Sequence, residues 1–152
     1  MKEGRTMAKQ LKIEVSGGLL MYADLLEDLA PKTCAALEKA LPYQEKILSH
    51  GMFSGHALYL LTDLTFGGAE CSRSYGVSPG EILYAPHVVD ASHRANELII
   101  VYGPAAIRNV SGFGIANLCA RIRYEYLPDL YKLGISVNRD GERTVTISLE
   151  ER

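Results

Sequence analysis

LAPKTCAALEKALPY, residues 29–43, is a short alanine- and leucine-rich segment that contains Pro31 and Pro42. Proline fits the first turn of a helix, where its missing N–H is not needed, and a second proline stops the helix because it cannot continue the hydrogen-bond ladder. Apolar side chains recur at helical spacing along one face, at Cys34, Leu37 and Leu41. We therefore predict a short, one-sided helix that lies on a sheet.

Strand-length segments lie on both sides of this helix. The first of them, QLKIEV, alternates apolar and charged residues, as a half-buried strand does. Similar runs, bounded by Gly, Pro, Asn or Ser, are 19–26, 46–50, 56–61, 80–86, 97–103 and 117–126. We predict a second helix over 127–134, ended by Gly134, and a terminal hairpin that turns at Asp140-Gly141.

This pattern predicts a mainly β fold, a mixed barrel with two short helices. The chain has 152 residues, which suits one domain. We expect a flexible N-terminal segment, 1–9, and a single barrel domain, 10–152.

The charges give little reason to expect a nucleic acid or membrane partner. Lys plus Arg is 16 and Asp plus Glu is 18, which gives a net charge of −2. No apolar run is long enough to span a bilayer, and the first residues, MKEGRTMAKQ, lack the apolar core of an export signal. Cys34, Cys71 and Cys119 are odd in number and form no CxxC pair, which favours reduced thiols and a cytoplasmic location.

No cofactor or metal is expected from the motifs. The glycines form neither GxGxxG nor a P-loop. The four histidines, His50, His56, His87 and His93, do not follow a common metal-ligand spacing.

Pro31, Lys32 and Thr33 resemble the Pro-Lys-Thr that begins the helix closing one end of the cyclophilin barrel. The chain is more similar to a bacterial family of small cyclophilin-like proteins of unknown function. Further matches are Ser54-Gly55, Pro79–Leu83, Glu97–Gly103 and Gly114–Asn117. The similarity covers about 10–150 and implies a closed cyclophilin-like barrel; His56 stands where that family typically has an acidic residue.

The residues argue against prolyl isomerase activity, although the resemblance invites that function. Cyclophilin catalysis uses an arginine, a glutamine and aromatic walls. This chain has no Arg or Lys between Lys46 and Arg73, no glutamine after Gln44 and no tryptophan. A shared fold does not transfer the activity.

Several polar side chains are candidates for a ligand site instead. His56 begins a strand and can exchange a proton near neutral pH. Tyrosines outnumber phenylalanines by nine to three, and tyrosine suits the rim of a small polar pocket. Loop residues 71–75, CSRSY, supply a thiol and a guanidinium. We predict a barrel-face pocket for a small carboxylate- or amide-bearing ligand, lined by Ser54, His56, Tyr59, Tyr75 and Arg121, with Arg73 nearby.

Two other functions stay open. The protein is a hydrolase or isomerase of small amides if His56 carries a proton and Cys71 or Ser54 is the nucleophile. It is a structural protein if exposed strand edges pair into a homo-oligomer. Each candidate residue taken alone also fits a purely structural role, as a barrel wall residue or a solvated connector.

Overall fold

The computed structural model describes residues 8–66, 68–86, 96–109 and 112–152. The predictions for residues 1–7, His87 and His93 fall outside these ranges. The strands are β1 (Lys9–Val15), β2 (Leu19–Leu25), β3 (Tyr43–His50), β4 (Gly55–Thr62), β5 (Ser72–Arg73), β6 (Glu81–Ala85), β7 (Asn96–Ala105), β8 (Arg108–Asn109), β9 (Gly112–Phe113), β10 (Ala116–Ile122) and β11 (Arg143–Glu151). The helices are α1 (Pro31–Ala40) and α2 (Leu127–Asp140), and a 3₁₀ turn, Tyr124–Tyr126, leads into α2.

Eight antiparallel strands close into a barrel. They follow the order β2-β1-β11-β3-β4-β7-β6-β10, and β10 pairs back to β2. This closing ladder is short, with Arg121 opposite Asp24 in the middle of three residue pairs. Strand β5 adds to β10 outside the ring, and β8 and β9 form a separate hairpin. The prediction of a mainly β, closed barrel is confirmed.

Side chains that alternate along the strands build two apolar clusters. On β4, Leu58 and Leu60 point into the main core, which fills the barrel. Ala57 and Tyr59 point the other way, into a smaller cluster on the outer face. The loops that contribute Val77 and Ile107 belong to this outer cluster. Because successive side chains on a strand point to opposite faces, alternate residues of a strand join different clusters.

Helix α1 covers the core as the sequence predicts. Cys34 and Leu37 are fully buried in the main cluster, and Leu41 is partly buried against it. The helix faces the loop 63–66 that follows β4 across a cleft. Helix α2 contacts the beginning of β4 through His56 and Tyr131. Since β4 runs from one end of the barrel to the other, the two helices lie at opposite ends. Each mouth of the barrel is therefore covered by a helix.

The second helix is longer than predicted, and the predicted terminal hairpin is wrong. Residues 135–140 are helical, and the chain enters β11 directly after Gly141. The apolar stripe continues past the expected stop, through Leu130, Leu133 and Val137. Gly134 does not end the helix; it lies against the ring of Tyr102. Within the described ranges, no helix is both long and apolar enough to cross a membrane.

Candidate functional site

His56 is the second residue of β4, and its side chain lies against helix α2. Its ring packs edge-on against Tyr102, with ring centroids 5.2 Å apart, and stacks on Tyr131 at 6.4 Å. The ring of His50, from the end of β3, packs against the other side of Tyr102 at 5.6 Å. We call these four residues, His50, His56, Tyr102 and Tyr131, the His–Tyr cluster.

Hydrogen bonds define the tautomers of both histidines. Nδ1 of His56 lies 3.1 Å from the Pro104 carbonyl oxygen, and Nδ1 of His50 lies 2.8 Å from the Gly51 carbonyl oxygen. A carbonyl can only accept, so each Nδ1 carries a proton. In the neutral rings each Nε2 is then an acceptor. His50 Nε2 accepts from the Tyr102 hydroxyl at 2.7 Å, whereas His56 Nε2 has no partner in the described part of the chain.

Two glycines make room for this cluster. A Cβ on Gly103 would lie 2.9 Å from the His56 Cβ, and one on Gly134 would lie 2.4 Å from atoms of the Tyr102 ring. Tyr102 is therefore enclosed between α2 and the two histidines, and burial raises the pKa of its hydroxyl. The phenol stays protonated and can keep donating to His50. Tyr131 is 47% exposed, so the cluster opens to solvent on that side.

Cys71 does not approach His56. Cys71 packs on the outer cluster together with Tyr59, whereas His56 contacts Tyr102, a residue of the main core. His56 and Tyr59 are three residues apart on β4, so their side chains point to opposite faces of the sheet. The β4–β7 sheet therefore separates His56 from Cys71, which lies on the Tyr59 side. The proposed pair of a Cys71 nucleophile and a His56 base has no geometry to support it here.

The other predicted lining residues also lie apart from His56. Arg73 is on β5, opposite Ala116 of β10, and Tyr75 is on the outer loop that follows, 59% exposed. Ser54 precedes β4, and its hydroxyl accepts from the Arg108 amide at 3.2 Å. Ser54 is thus near His56 in the chain but is occupied with the β8 backbone.

Arg121 lies on the outer surface at the seam that closes the barrel. Its guanidinium donates to Glu81 at 3.2 Å, and its strand neighbour across the seam is Asp24. Asp24 in turn accepts from Arg123 at 2.8 Å and from Arg152 at 3.0 Å. These charged side chains pair with one another across the strands, which makes the seam a structural region.

Motif residues that are far apart in the sequence meet at the other end of the barrel. Asn117, 3% exposed, donates to the Thr33 hydroxyl at 3.1 Å and to the Gly68 carbonyl at 3.0 Å. Its own carbonyl accepts from the Ser72 hydroxyl at 2.9 Å and the Glu70 amide at 3.2 Å. The Pro-Lys-Thr segment and the Gly-plus-Asn segment thus form one buried junction. The sequence did not single out Glu70.

Glu70 caps helix α1 from a distant loop. Its carboxylate accepts from the Thr33 amide at 2.7 Å, the Thr33 hydroxyl at 2.8 Å and the Lys32 amide at 3.0 Å. Partial burial acts to raise the pKa of Glu70, but these hydrogen bonds and the charge of Lys32 outweigh it and hold the pKa below its ordinary value. The free amides at the N-terminus of α1, which could bind an anion, are therefore already occupied by the Glu70 carboxylate.

The two buried thiols are part of the core. Burial raises the pKa of the Cys34 thiol to about 12 and also raises that of Cys119. Both therefore stay protonated and unreactive. Across residues 8–66, 68–86, 96–109 and 112–152, no three His, Cys, Asp or Glu side chains are grouped so that they could hold a metal ion.

The fold and the cluster together define a small closed antiparallel barrel with a helix over each end and a polar aromatic group beneath one of them. The chain belongs to the DUF3830 family, described as proteins of unknown function, whose model matches residues 11–149. No curated protein matches the chain.

Two solved structures are similar in fold. One is the structure of McbB in complex with tryptophan, at 21% identity and a TM-score of 0.72. The match covers 91% of this chain and 44% of McbB, so the chain spans less than half of that protein's length. The other is the solution structure of the hypothetical protein AF2241 from Archaeoglobus fulgidus, at 18% identity and a TM-score of 0.59, covering 96% and 98% of the two chains. At these identities the likeness concerns the fold.

Proposed function

We propose that this protein binds a small ligand with an amide or carboxyl group at the barrel mouth beside His56. The observation that carries the proposal is the open Nε2 of His56, whose ring is fixed by the bond to Pro104 and by Tyr102. A ligand N–H or O–H can donate to this nitrogen in the neutral ring.

Tyr131 adds the second part of the proposed site. Its ring lies nearly parallel to that of His56, at 18°, and its half-exposed side faces solvent. A flat apolar ligand body can stack there, while the phenol offers a donor and an acceptor. This combination suits a small molecule that is apolar in the middle and polar at one end.

The McbB complex supports a ligand of this size. McbB, which is similar in fold over 91% of this chain, is described in complex with tryptophan. Tryptophan combines an aromatic body with a carboxylate, so it and its amide are suitable first probes for this chain.

The test is a calorimetric titration with L-tryptophan, L-tryptophanamide and tryptamine, in the wild type and in His56→Phe. Phenylalanine keeps the stacking surface but removes the ring nitrogens. We expect the variant to bind the amide about tenfold more weakly, the effect of one lost hydrogen bond in a partly dry site. L-Tryptophan, whose carboxylate has no proton to donate to Nε2 at neutral pH, should bind more weakly than L-tryptophanamide.

Tyr59→Phe is the matched control, because it removes a polar atom on the outer face. It should leave binding unchanged. Equal binding by His56→Phe and the wild type, or a loss of binding in Tyr59→Phe instead, would contradict the proposal. So would the absence of binding of all three probes at millimolar concentration.

An enzymatic function is the alternative that retains His56 as the proton carrier. Neither predicted nucleophile supports it: Cys71 packs on the other face of the sheet, and the Ser54 hydroxyl is bonded to the Arg108 backbone. Such an enzyme would have to activate water or a substrate group at His56 directly. The ligand-binding proposal needs no such step, and we prefer it.

We also propose, on the resemblance, a cyclophilin-like fold, a bacterial source and a cytoplasmic location. The resemblance rests on the Pro-Lys-Thr segment, where Pro31 begins α1 and Thr33 bonds to Glu70. The ligand contacts predicted for Arg73, Tyr75 and Arg121 stay predictions, as does a homo-oligomer, and the contact predicted for Tyr59 is the one that the Tyr59→Phe variant tests.

A further inference from the structure

A cleft lies at the end of the barrel opposite His56, between the outer face of helix α1 and the loop that follows β4. Its volume is about 620 Å³, which is within the size range of ligand pockets. The helix contributes Lys32, Ala35, Ala36, Lys39 and Ala40, and the loop contributes Asp63, Leu64, Thr65 and Phe66. From its position, this cleft is separate from the proposed site at the His–Tyr cluster.

The helix wall carries two ammonium groups with an apolar surface between them. Lys32 and Lys39 are two helical turns apart, about 10 Å along the axis, and so lie on the same face. The residues between them on that face are alanines, whose small side chains leave the space open. Leu64 and Phe66 supply apolar surface on the loop wall.

The charged side chains that line the cleft are not held in salt bridges with other described residues. Among the described residues, Lys32, Lys39 and Asp63 form no salt bridge. Lys32 is close enough to Glu70 to lower the pKa of that carboxyl, but the oxygens of Glu70 are bonded to the first amides of α1. The cleft lining thus carries two cations and one carboxylate, that of Asp63, while Glu70 outside the lining offsets part of the charge of Lys32.

The loop wall is held in place by side chains from the barrel. The Leu64 carbonyl accepts from the Tyr84 hydroxyl at 3.1 Å and from the Asn96 side chain at 2.7 Å. The Leu64 amide donates to the Thr62 hydroxyl at 3.0 Å, and the Phe66 amide donates to Tyr84 at 3.3 Å. A wall with four such bonds is preformed, so a ligand does not have to order it.

We infer that this cleft binds a small organic anion: a carboxylate with an apolar, preferably aromatic body. The carboxylate pairs with Lys32 or Lys39, and the body lies on the alanines and against Leu64 and Phe66. The end of α1 itself does not take part, because Glu70 occupies its amides. Asp63 disfavours ligands with a second negative charge.

Indole-3-acetate is the probe, with indole-3-acetamide as its uncharged counterpart. Binding is followed by amide chemical shifts of ¹⁵N-labelled protein, which also locate the site. We expect shifts in α1 and residues 63–66, weaker binding of the amide, and weaker binding of the acetate at high salt. Lys32→Gln with Lys39→Gln should weaken acetate binding roughly tenfold, the effect of a lost charge-assisted bond.

Two further variants test the position of the ligand. Ala35→Leu fills the cleft from an exposed helix position and should abolish binding while thermal unfolding stays cooperative. Lys132→Gln, on the exposed side of α2, is the matched control for a lost lysine and should bind as the wild type does.

The inference is overturned if the acetate and the amide bind equally, if the double lysine variant and Ala35→Leu bind as the wild type does, or if no saturable shifts appear at millimolar probe. Shifts confined to α2 and β4 that disappear in His56→Phe would also overturn it, while supporting the site at the His–Tyr cluster. Failure here therefore does not count against the proposed function.

Discussion

Gly134→Ala is expected to destabilise this protein, although the same change in the middle of a helix usually stabilises. Gly134 lies in the interior of α2, seven residues after its first residue. Alanine has the higher helix propensity by about 1 kcal/mol. In this helix, however, the new Cβ would lie 2.4 Å from the Cγ, Cδ1 and Cδ2 atoms of the Tyr102 ring.

The magnitude follows from how little Tyr102 can move. The clashing atoms are at the base of the ring, and the ring is held by His50 and His56 on its other sides. Overpacking of this kind costs about 1–3 kcal/mol, occasionally more. With three close contacts the upper part of that range applies, so after subtracting the propensity gain we expect a net loss of about 2 kcal/mol. For a chain of this size that lowers Tm by about 4–8 °C.

The assay is urea unfolding followed by circular dichroism, with a double-mutant cycle. In a Tyr102→Ala background the Cγ, Cδ1 and Cδ2 atoms are absent, and Gly134→Ala should then be neutral or stabilising. The same clash should displace His56, so the Gly134→Ala protein should also show weakened binding of L-tryptophanamide. Stabilisation of the single variant by about 1 kcal/mol would refute the packing described for α2, as would additive effects in the cycle.

Three further outcomes follow from the same structure. Asn117→Ala removes four hydrogen bonds of a buried junction, so we expect a loss of about 2–4 kcal/mol in urea unfolding; a loss below about 0.5 kcal/mol would show that water replaces them. With a thiol reagent at pH 8, Cys71 should react in the folded protein, and Cys34 and Cys119 only on unfolding; mass spectrometry of the labelled peptides that found Cys34 modified first would contradict this. Despite its partial burial, Glu70 has its pKa held below the ordinary value of 4.5 by hydrogen bonds from α1, so its stabilising effect is present above that value and is lost as the pH falls through its folded pKa. Glu70→Gln should therefore flatten the acid limb of the stability curve, and an unchanged limb would mean that Glu70 has no such role.

Local patterns were sufficient for several strands and for helix α1. The alternation of QLKIEV predicts β1 (Lys9–Val15) to within a residue, because one face of that strand is buried. Pro31 and Pro42 place α1 correctly, since proline acts on its own backbone whatever surrounds it. Both signals depend only on residues close together in the sequence, and the structure has the strand and the helix where they predict them.

The length of α2 could not be predicted in the same way. Gly134 looks like a helix stop in the sequence, but its absent side chain serves a contact with Tyr102, more than 30 positions earlier in the chain. The continuing apolar spacing to Val137 was the contrary signal. A glycine required by a tertiary contact and a glycine that ends a helix are alike in sequence.

Strand alternation already separates two of the predicted site residues. His56 and Tyr59 are three residues apart on one strand, so strand alternation already places them on opposite faces. The positions of Cys71 and Arg121 depend on strand order, which brings Arg121 to the closing seam beside Asp24. That order involves pairs of residues distant in sequence, and no local pattern specifies it.

Packing and charge together restrict where a ligand can bind. The barrel interior is filled by Tyr43, Tyr84 and aliphatic side chains that are fully buried, as expected for eight strands. On the outer face the small apolar cluster is covered by loops, and at the seam Arg121 is neutralised by Glu81. What remains is the two ends of the barrel. One presents an acceptor nitrogen, His56 Nε2, beside an aromatic ring, and the other presents two cations on an apolar surface. A ligand with a free N–H should therefore choose the first end and an organic anion the second, a preference that His56→Phe and the double lysine variant can separate in one protein.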